Sequence, residues 1–263
     1  MSGTSMDGID LSIISSDGYD EFSNILDDYY EYDKNLQDQL VRLRDLVLTK
    51  KDLLQNSEKL RELERNLTLF HADAVNQSLK KYRDPIDLIG FHGQTIFHNP
   101  QEKITNQLGD GKLLSQIVKK KVIYDFRQAD ILNNGQGAPL TPLYHYILSK
   151  KINQNFKTKF PIGFLNIGGI ANVTKVNNDS DNFQNNLSAF DIGPGNCLID
   201  EWVRKNSNKK FDKNGELAKA GKVDQLVLNQ AIDNFKINSY SQSLDIKNFD
   251  TSFARGLTLE DGC

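Results

Sequence analysis

Short apolar runs that stop abruptly at glycine and hydrogen-bonding side chains are what most restrict the fold of this chain. Pro85-Ile86-Asp87-Leu88-Ile89-Gly90-Phe91 runs straight into His92-Gly93-Gln94-Thr95, and Val122-Ile123-Tyr124 runs into Asp125-Phe126-Arg127. Leu187-Ser188-Ala189-Phe190 runs into Asp191-Ile192-Gly193-Pro194-Gly195-Asn196. Such runs read as strands, the first of them buried. Between them lie stretches with apolar residues at spacings of three and four, which read as helices. Leu60, Leu63, Leu67, Phe70 and Ala74 form the clearest stripe, over 57–82, and His71 beside it reads as a packed structural histidine. Residues 35–48 read as a further helix, with shorter ones at 112–120, 143–151, 197–205, 217–220 and 223–235. Strands interleaved with helices make the chain α/β, and in open α/β sheets ligands gather at the carboxyl ends of the strands.

Two stretches have the form of a glycine-rich turn joined to strands. Met1-Ser2-Gly3-Thr4-Ser5-Met6-Asp7-Gly8-Ile9-Asp10 leads into the strand-like Leu11–Ser15. Glycines allow backbone N–H groups to approach an anion and hydroxyls add donors, so this reads as a phosphate-binding loop, against the alternative of a tight turn at a terminus. A carboxylate beside such a loop can hold the Mg²⁺ of a nucleotide through water. Ile162–Ile167, Gly168-Gly169 and Ile170–Lys175 read as a hairpin flanked by Asn166 and Asn172, and two such loops can grip one polyphosphate.

The strand ends supply the other candidates. Asp191, before a glycine-rich turn and a helix, is placed as a general base or as a turn cap. Arg127 is a candidate anchor for a carboxylate, or the partner of Asp125 in an ion pair that shapes a loop. His92, Gln94 and Thr95 converge as hydrogen-bonding groups, with a capped turn as the alternative for His92. Residues 106–111 read as a turn, and 134–142 as a fixed Gly/Pro-rich crossing that holds Gln136 and lies near the domain boundary. Residues 239–262 read as loop. The 263 residues suffice for one large or two ordinary domains.

Composition narrows the partners. A net charge of -3 gives no basic surface for nucleic acid, and no apolar run is long enough to span a membrane. Cys197 and Cys263 make no disulfide framework, and with no secretory signal at the N-terminus the expected compartment is the reducing cytoplasm.

Taken together, the segments resemble the anhydro-N-acetylmuramic acid kinases. The matching stretches are MSGTSMDGID at 1–10, GFHGQTIFH at 90–98, QLGDG at 107–111, DFRQADI at 125–131, GQGAPLTP at 135–142, NIGGIANVT at 166–174, DIGPGN at 191–196 and LEDGC at 259–263, in the family's order. The resemblance implies an α/β fold of two ribonuclease-H-like domains with a cleft between them, as in sugar kinases, Hsp70 and actin. It assigns 1–127 to the first domain and 128–263 to an incomplete second one. It implies an enzyme that uses ATP and Mg²⁺ to open the 1,6-anhydro ring with water and phosphorylate O6, giving N-acetylmuramate 6-phosphate in cell-wall recycling. Gly3, Thr4, Ser5, Met6, Asp7, Gly8, Ile9 and Asp10 then match the phosphate loop, with Gly168 and Gly169 as the second phosphate-facing turn. Asp191 matches the residue that activates water. His92, Gln94, Thr95, Arg127 and Gln136 match the sugar side, with Arg127 as the anchor for the lactyl carboxylate; no metal ligand is assigned.

The sequence also departs from the family pattern. Met1 already stands inside the first motif, where the family has preceding residues that form the opening half of the strand. Asn134 stands where the family has glycine. The family continues beyond its EDG segment, and that continuation carries the adenosine pocket. Three expectations follow: a kinase of this family; a non-catalytic remnant that binds sugar or phosphate; or one half of a split kinase that needs a separate C-terminal polypeptide. A homodimer is also left open.

Overall fold

The computed structural model describes residues 2–3, 5–180, 183–234, 244, 246 and 249–263, the side chains of 183, 184 and 234 excepted. The N-terminal glycine stretch enters β1 (Gly8–Ser16), which turns back as β2 (Phe22–Glu31). The pair is antiparallel, with Gly8 opposite Glu31 and Ser16 opposite Phe22, and shifts register between Ile13 and Ile14. Asp33 caps α1 (Lys34–Leu46) by accepting from Leu36 N at 2.8 Å. A Thr49–Asp52 capping box starts the short α2 (Lys50–Gln55), which the sequence reading passed over.

α3 (Ser57–Lys81) is the spine of this part of the chain. Its Leu60, Leu63, Leu67 and Ala74 join Met6, Ile9, Tyr32, Leu36, Leu40, Leu43, Val47, Ile96 and Leu108 in one apolar cluster. Its Ala72 meets Phe91, Leu114 and Val118 in a second. The three-and-four spacing read from the sequence is thus the burial pattern observed, and each fully buried leucine contributes about 1.5–3 kcal/mol.

β3 (Leu88–Phe91) is followed by the hairpin β4 (Gln94–Asn99) and β5 (Ile104–Leu108), then α4 (Gly111–Val118), β6 (Lys121–Tyr124) and α5 (Phe126–Leu132). β3 and β6 pair in parallel, Leu88 opposite Lys121 and Phe91 opposite Tyr124. The expected buried strand at 85–91 is corrected in two ways: it begins at Leu88, and only one face is covered. Ile89 and Phe91 pack inward, while Leu88 is 53% exposed, as the two-residue period of a strand requires. The expected turn at 106–111 is also shorter, because 106–108 complete β5. Asp110 then caps α4, accepting from Lys112 N and Leu113 N, both at 2.9 Å.

α6 (Thr141–Phe156) precedes β7 (Ile162–Ile167) and β8 (Ile170–Val176), then α7 (Phe183–Asn186), β9 (Leu187–Pro194) and α8 (Cys197–Asn206). β7, β8 and β9 form an antiparallel sheet with β8 in the centre. α9 (Glu216–Ala220) and α10 (Gln225–Asn234) follow. The last residues are pinned, with Trp202 Nε1 donating to Leu259 O at 3.0 Å and Lys222 N to Asp261 Oδ1 at 2.7 Å.

The fold is mixed α/β, in two compact units, Met1–Pro139 and Leu140–Cys263. The division lies inside the Gly/Pro-rich crossing, so α5 belongs with the first unit. No helix among the described residues is long and apolar enough to cross a membrane.

Candidate active site

The N-terminal loop alternates anchors with exposed groups. Met6 and Ile9 are 1% and 2% exposed and belong to the core, so their side chains hold the loop down and only their backbone can face a ligand. Gly3, Ser5, Asp7 and Asp10 are exposed, and Thr4 lies outside the described residues. Met6 N donates to Gly3 O at 3.2 Å, closing the turn, and Ser5 Oγ donates to Asp7 Oδ1 at 2.6 Å. Tyr32 N donates to Asp7 O at 2.8 Å, which ties the loop to the end of β2. A Cβ on Gly8 would stand 2.5 Å from Tyr30 O, so only glycine permits this approach. The Tyr29 phenol is pushed above its ordinary pKa by burial first and then by Asp7, Glu31 and Asp10, which marks an acidic rim.

Gly93 divides the next cluster into two arms. Its φ is +71°, and a Cβ there would stand 2.2 Å from Leu108 O. On one side Gln94 turns inward and is 1% exposed. Its Nε2 donates to Gly3 O at 3.0 Å, and Ser2 Oγ donates to its Oε1. The Tyr32 hydroxyl, 2.9 Å from Ser2 Oγ, closes the chain of bonds; burial raises its pKa to about 12. The Gln94 amide is therefore spent on the glycine loop rather than turned outward. Thr95, next along β4, is half-buried opposite Gln107.

On the other side His92 is half-buried and meets Arg127, whose Nε donates to His92 Nε2 at 3.0 Å. Arg127 Nη1 donates to Gly137 O at 2.6 Å, and Gly137 N donates to Asp130 Oδ2 at 2.6 Å. Arg127 thus pairs with His92 and the crossing loop and not with Asp125. Gln136 has an exposed side chain, and its backbone lies close enough to His98 to raise that ring's pKa in part. Burial lowers the pKa of His92 and His98, and the Arg127 charge lowers both further.

In the second unit the Gly168-Gly169 turn is fastened by its carbonyls. Asn196 N donates to Gly168 O at 2.7 Å and Gly195 N to Gly169 O at 2.9 Å. A Cβ on Gly195 would stand 2.1 Å from Gly168 O, which makes Gly195 the sterically obligatory member. Asp191 lies inside β9 rather than beyond a strand end, because the strand runs on to Pro194. Asn166 pairs with Asn172, and Asn172 with Asp191, so two amides and a carboxylate stand in one row across the sheet. Asp191 Oδ2 accepts from Leu244 N at 2.8 Å.

The structure therefore brings Gln94 to the glycine loop, and His92, Arg127 and the backbone of Gln136 into one cluster of the first unit. It brings Asp191 into register with the second glycine hairpin. Sequence reasoning missed Ser2, Tyr32 and Asp130 as supports. Asp130 was findable, since Arg127 and Asp130 are three apart and share a helix face. No group of three or more His, Cys, Asp or Glu side chains among the described residues is arranged to hold a metal ion.

A family model described as anhydro-N-acetylmuramic acid kinase matches residues 1–242. A protein of that name from Pelagibacter ubique (strain HTCC1062) is 53% identical over 266 residues, covering 100% of this chain and 68% of that protein. Its namesakes from Agrobacterium fabrum (strain C58) and Rhizobium etli are 40% and 38% identical, each covering 100% of this chain and 69% and 70% of theirs. The match runs through every motif above, and this chain belongs to the anhydro-N-acetylmuramic acid kinase family.

Proposed function

We propose that the chain acts as an ATP-dependent sugar kinase that opens 1,6-anhydro-N-acetylmuramic acid with water and phosphorylates O6. The observation that carries this reading is the 53% identity over the whole chain to a kinase named for that sugar. The mixed α/β architecture is consistent with it, and two ribonuclease-H-like domains are our finer reading of the two units.

Each candidate residue then has a task. Gly3, Ser5 and the loop backbone present donors to phosphate oxygens while Met6 and Ile9 anchor them; this exposed cradle on a buried base fits a polyphosphate. Asp7, Asp10 and Glu31 would repel a bare polyphosphate, which argues that it arrives with Mg²⁺, held through water. The Gly168-Gly169 hairpin is the second candidate phosphate contact. ATP supplies the phosphoryl group. Arg127 binds the lactyl carboxylate through N–H groups that His92 and Gly137 leave unused. Asp191, with Oδ2 held by Leu244 N, takes the proton from the attacking water at Oδ1.

The test mixes the chain with ATP, Mg²⁺ and the anhydro sugar and seeks the phosphorylated product by mass spectrometry. Asp191→Asn is expected to reduce turnover about 10²–10⁴-fold, the usual share of a general base, with the circular dichroism spectrum unchanged. A fully active Asp191→Asn variant would remove Asp191 from the role of base.

A further inference from the structure

The family resemblance places His92 on the sugar side, yet both of its ring nitrogens are engaged inside the protein. Nε2 faces Arg127 Nε at 3.0 Å, and Nδ1 faces Gly93 O at 2.8 Å. Arginine only donates and a carbonyl only accepts, so the two bonds coexist in one state of the ring alone. That state is the neutral imidazole with its proton on Nδ1. We propose that His92 is a positioning residue that, in this single tautomer, aims the Arg127 guanidinium at the carboxylate of the substrate.

The geometry of Arg127 supports the assignment. Its Nε is taken by His92 and one Nη1 hydrogen by Gly137 O, which fixes the plane of the guanidinium at two points. Nη2 has no hydrogen-bond partner among the described residues, and a guanidinium held in this plane can present it to a carboxylate. Planar recognition of this kind requires a fixed fork, and an unconstrained arginine would lose rotamer freedom on binding. Gly93 supplies both the turn that delivers His92 and the carbonyl that selects its tautomer, so the arrangement is built from the backbone outward.

The arrangement is sensitive to acid. Protonation would place a hydrogen on Nε2, remove the acceptor and set two cations face to face. Among the described residues, the charged group acting on His92 is Arg127 from α5; His92 in turn acts on His71 of α3, and His98 of β4 faces Arg127. Burial first and the Arg127 charge second hold the His92 pKa below its usual value. The neutral ring is therefore in place at neutral pH, and positioning is lost as the pH falls through that lowered pKa.

This inference rests on the kinase reading for its substrate, so the test has two parts. The first needs no turnover: nitrogen-15 shifts of the histidine rings in the ligand-free chain at pH 7. A neutral His92 protonated on Nδ1 is expected; a cation, or a proton on Nε2, overturns the proposal whatever the enzyme does. The second part compares His92→Leu with His92→Gln, whose side-chain carbonyl can still accept from Arg127 Nε. His92→Leu is expected to raise the sugar KM about tenfold or more with a smaller change in kcat. His92→Gln is expected to keep KM within about threefold while losing the acid limb of the KM–pH profile. A sugar whose carboxylate is methylated should not distinguish wild type from His92→Leu. Unchanged KM in His92→Leu, or a loss confined to kcat, refutes positioning; absence of wild-type turnover refutes the kinase reading and leaves the ring-nitrogen result to decide the arrangement.

Discussion

His71 stands on α3 with its ring edge-to-face on Phe91, centroids 4.9 Å apart. Nδ1 bonds Leu67 O at 2.9 Å, and Nε2 is buried with no partner among the described residues. Burial holds its pKa at about 4, against 6.5 when exposed, because the cation would carry two donors where one acceptor exists. The unfolded chain therefore binds this proton more readily than the folded one. The stability it contributes is complete above pH 6.5 and is lost as the pH falls from 6.5 towards 4, by up to about 3 kcal/mol. Urea denaturation of wild type and His71→Leu across that range checks this, and the difference between the two curves should carry the slope. The sequence identified His71 as structural because it adjoins an apolar stripe. It could not reveal the Gln94–Ser2–Tyr32 chain, in which Ser2 stands 92 and 30 residues from its two partners and meets them only once the fold exists. Nor could it show that the two polar residues flanking Gly93 point opposite ways, since that depends on a positive φ. Arg127 and Asp191 drew notice in the sequence because a charged group beside a strand-forming run stands where ligands gather in α/β sheets, although β9 runs on past Asp191 to Pro194.

Elements were read best where one period dominates. α3 emerged at nearly its full length from the Leu60–Ala74 stripe, and β7 and β8 from a Gly-Gly turn between apolar runs. β4 and β5 were missed as a hairpin, because His98 and Asn99 look polar and their connection carries no two-residue turn signal. α2 was missed although Thr-x-x-Asp at 49–52 is a capping box, because six residues carry little periodicity. α3 also bears the clearest stability prediction. Leu67 is 0% exposed at the centre of the larger cluster, and Leu67→Ala is expected to cost about 2–5 kcal/mol by the cavity it leaves. Urea titration followed by far-ultraviolet circular dichroism measures it.

At the scale of the whole molecule, each of the two units has buried residues of its own, and the single tryptophan lies in the second. Trp202 emission therefore reports that unit, whereas circular dichroism averages both. Domains with separate cores unfold with a degree of independence. Leu67→Ala is thus expected to shift the circular dichroism midpoint more than the Trp202 midpoint. Equal shifts would show a single cooperative transition across all 263 residues.

The glycines of the first unit differ in whether a lesion there can be repaired. An alanine at Gly93 collides with the carbonyl of Leu108, which no change of side chain can move, and adds the strain of its positive φ. An alanine at Gly111 collides at 2.2 Å with the ring of Tyr124, which a second substitution can trim. In a genetic selection for kinase activity, Gly111→Ala should yield suppressors at Tyr124, such as Tyr124→Val, whereas Gly93→Ala should yield only true revertants. The backbone contact makes the His92–Gln94 bend a position where evolution has no detour.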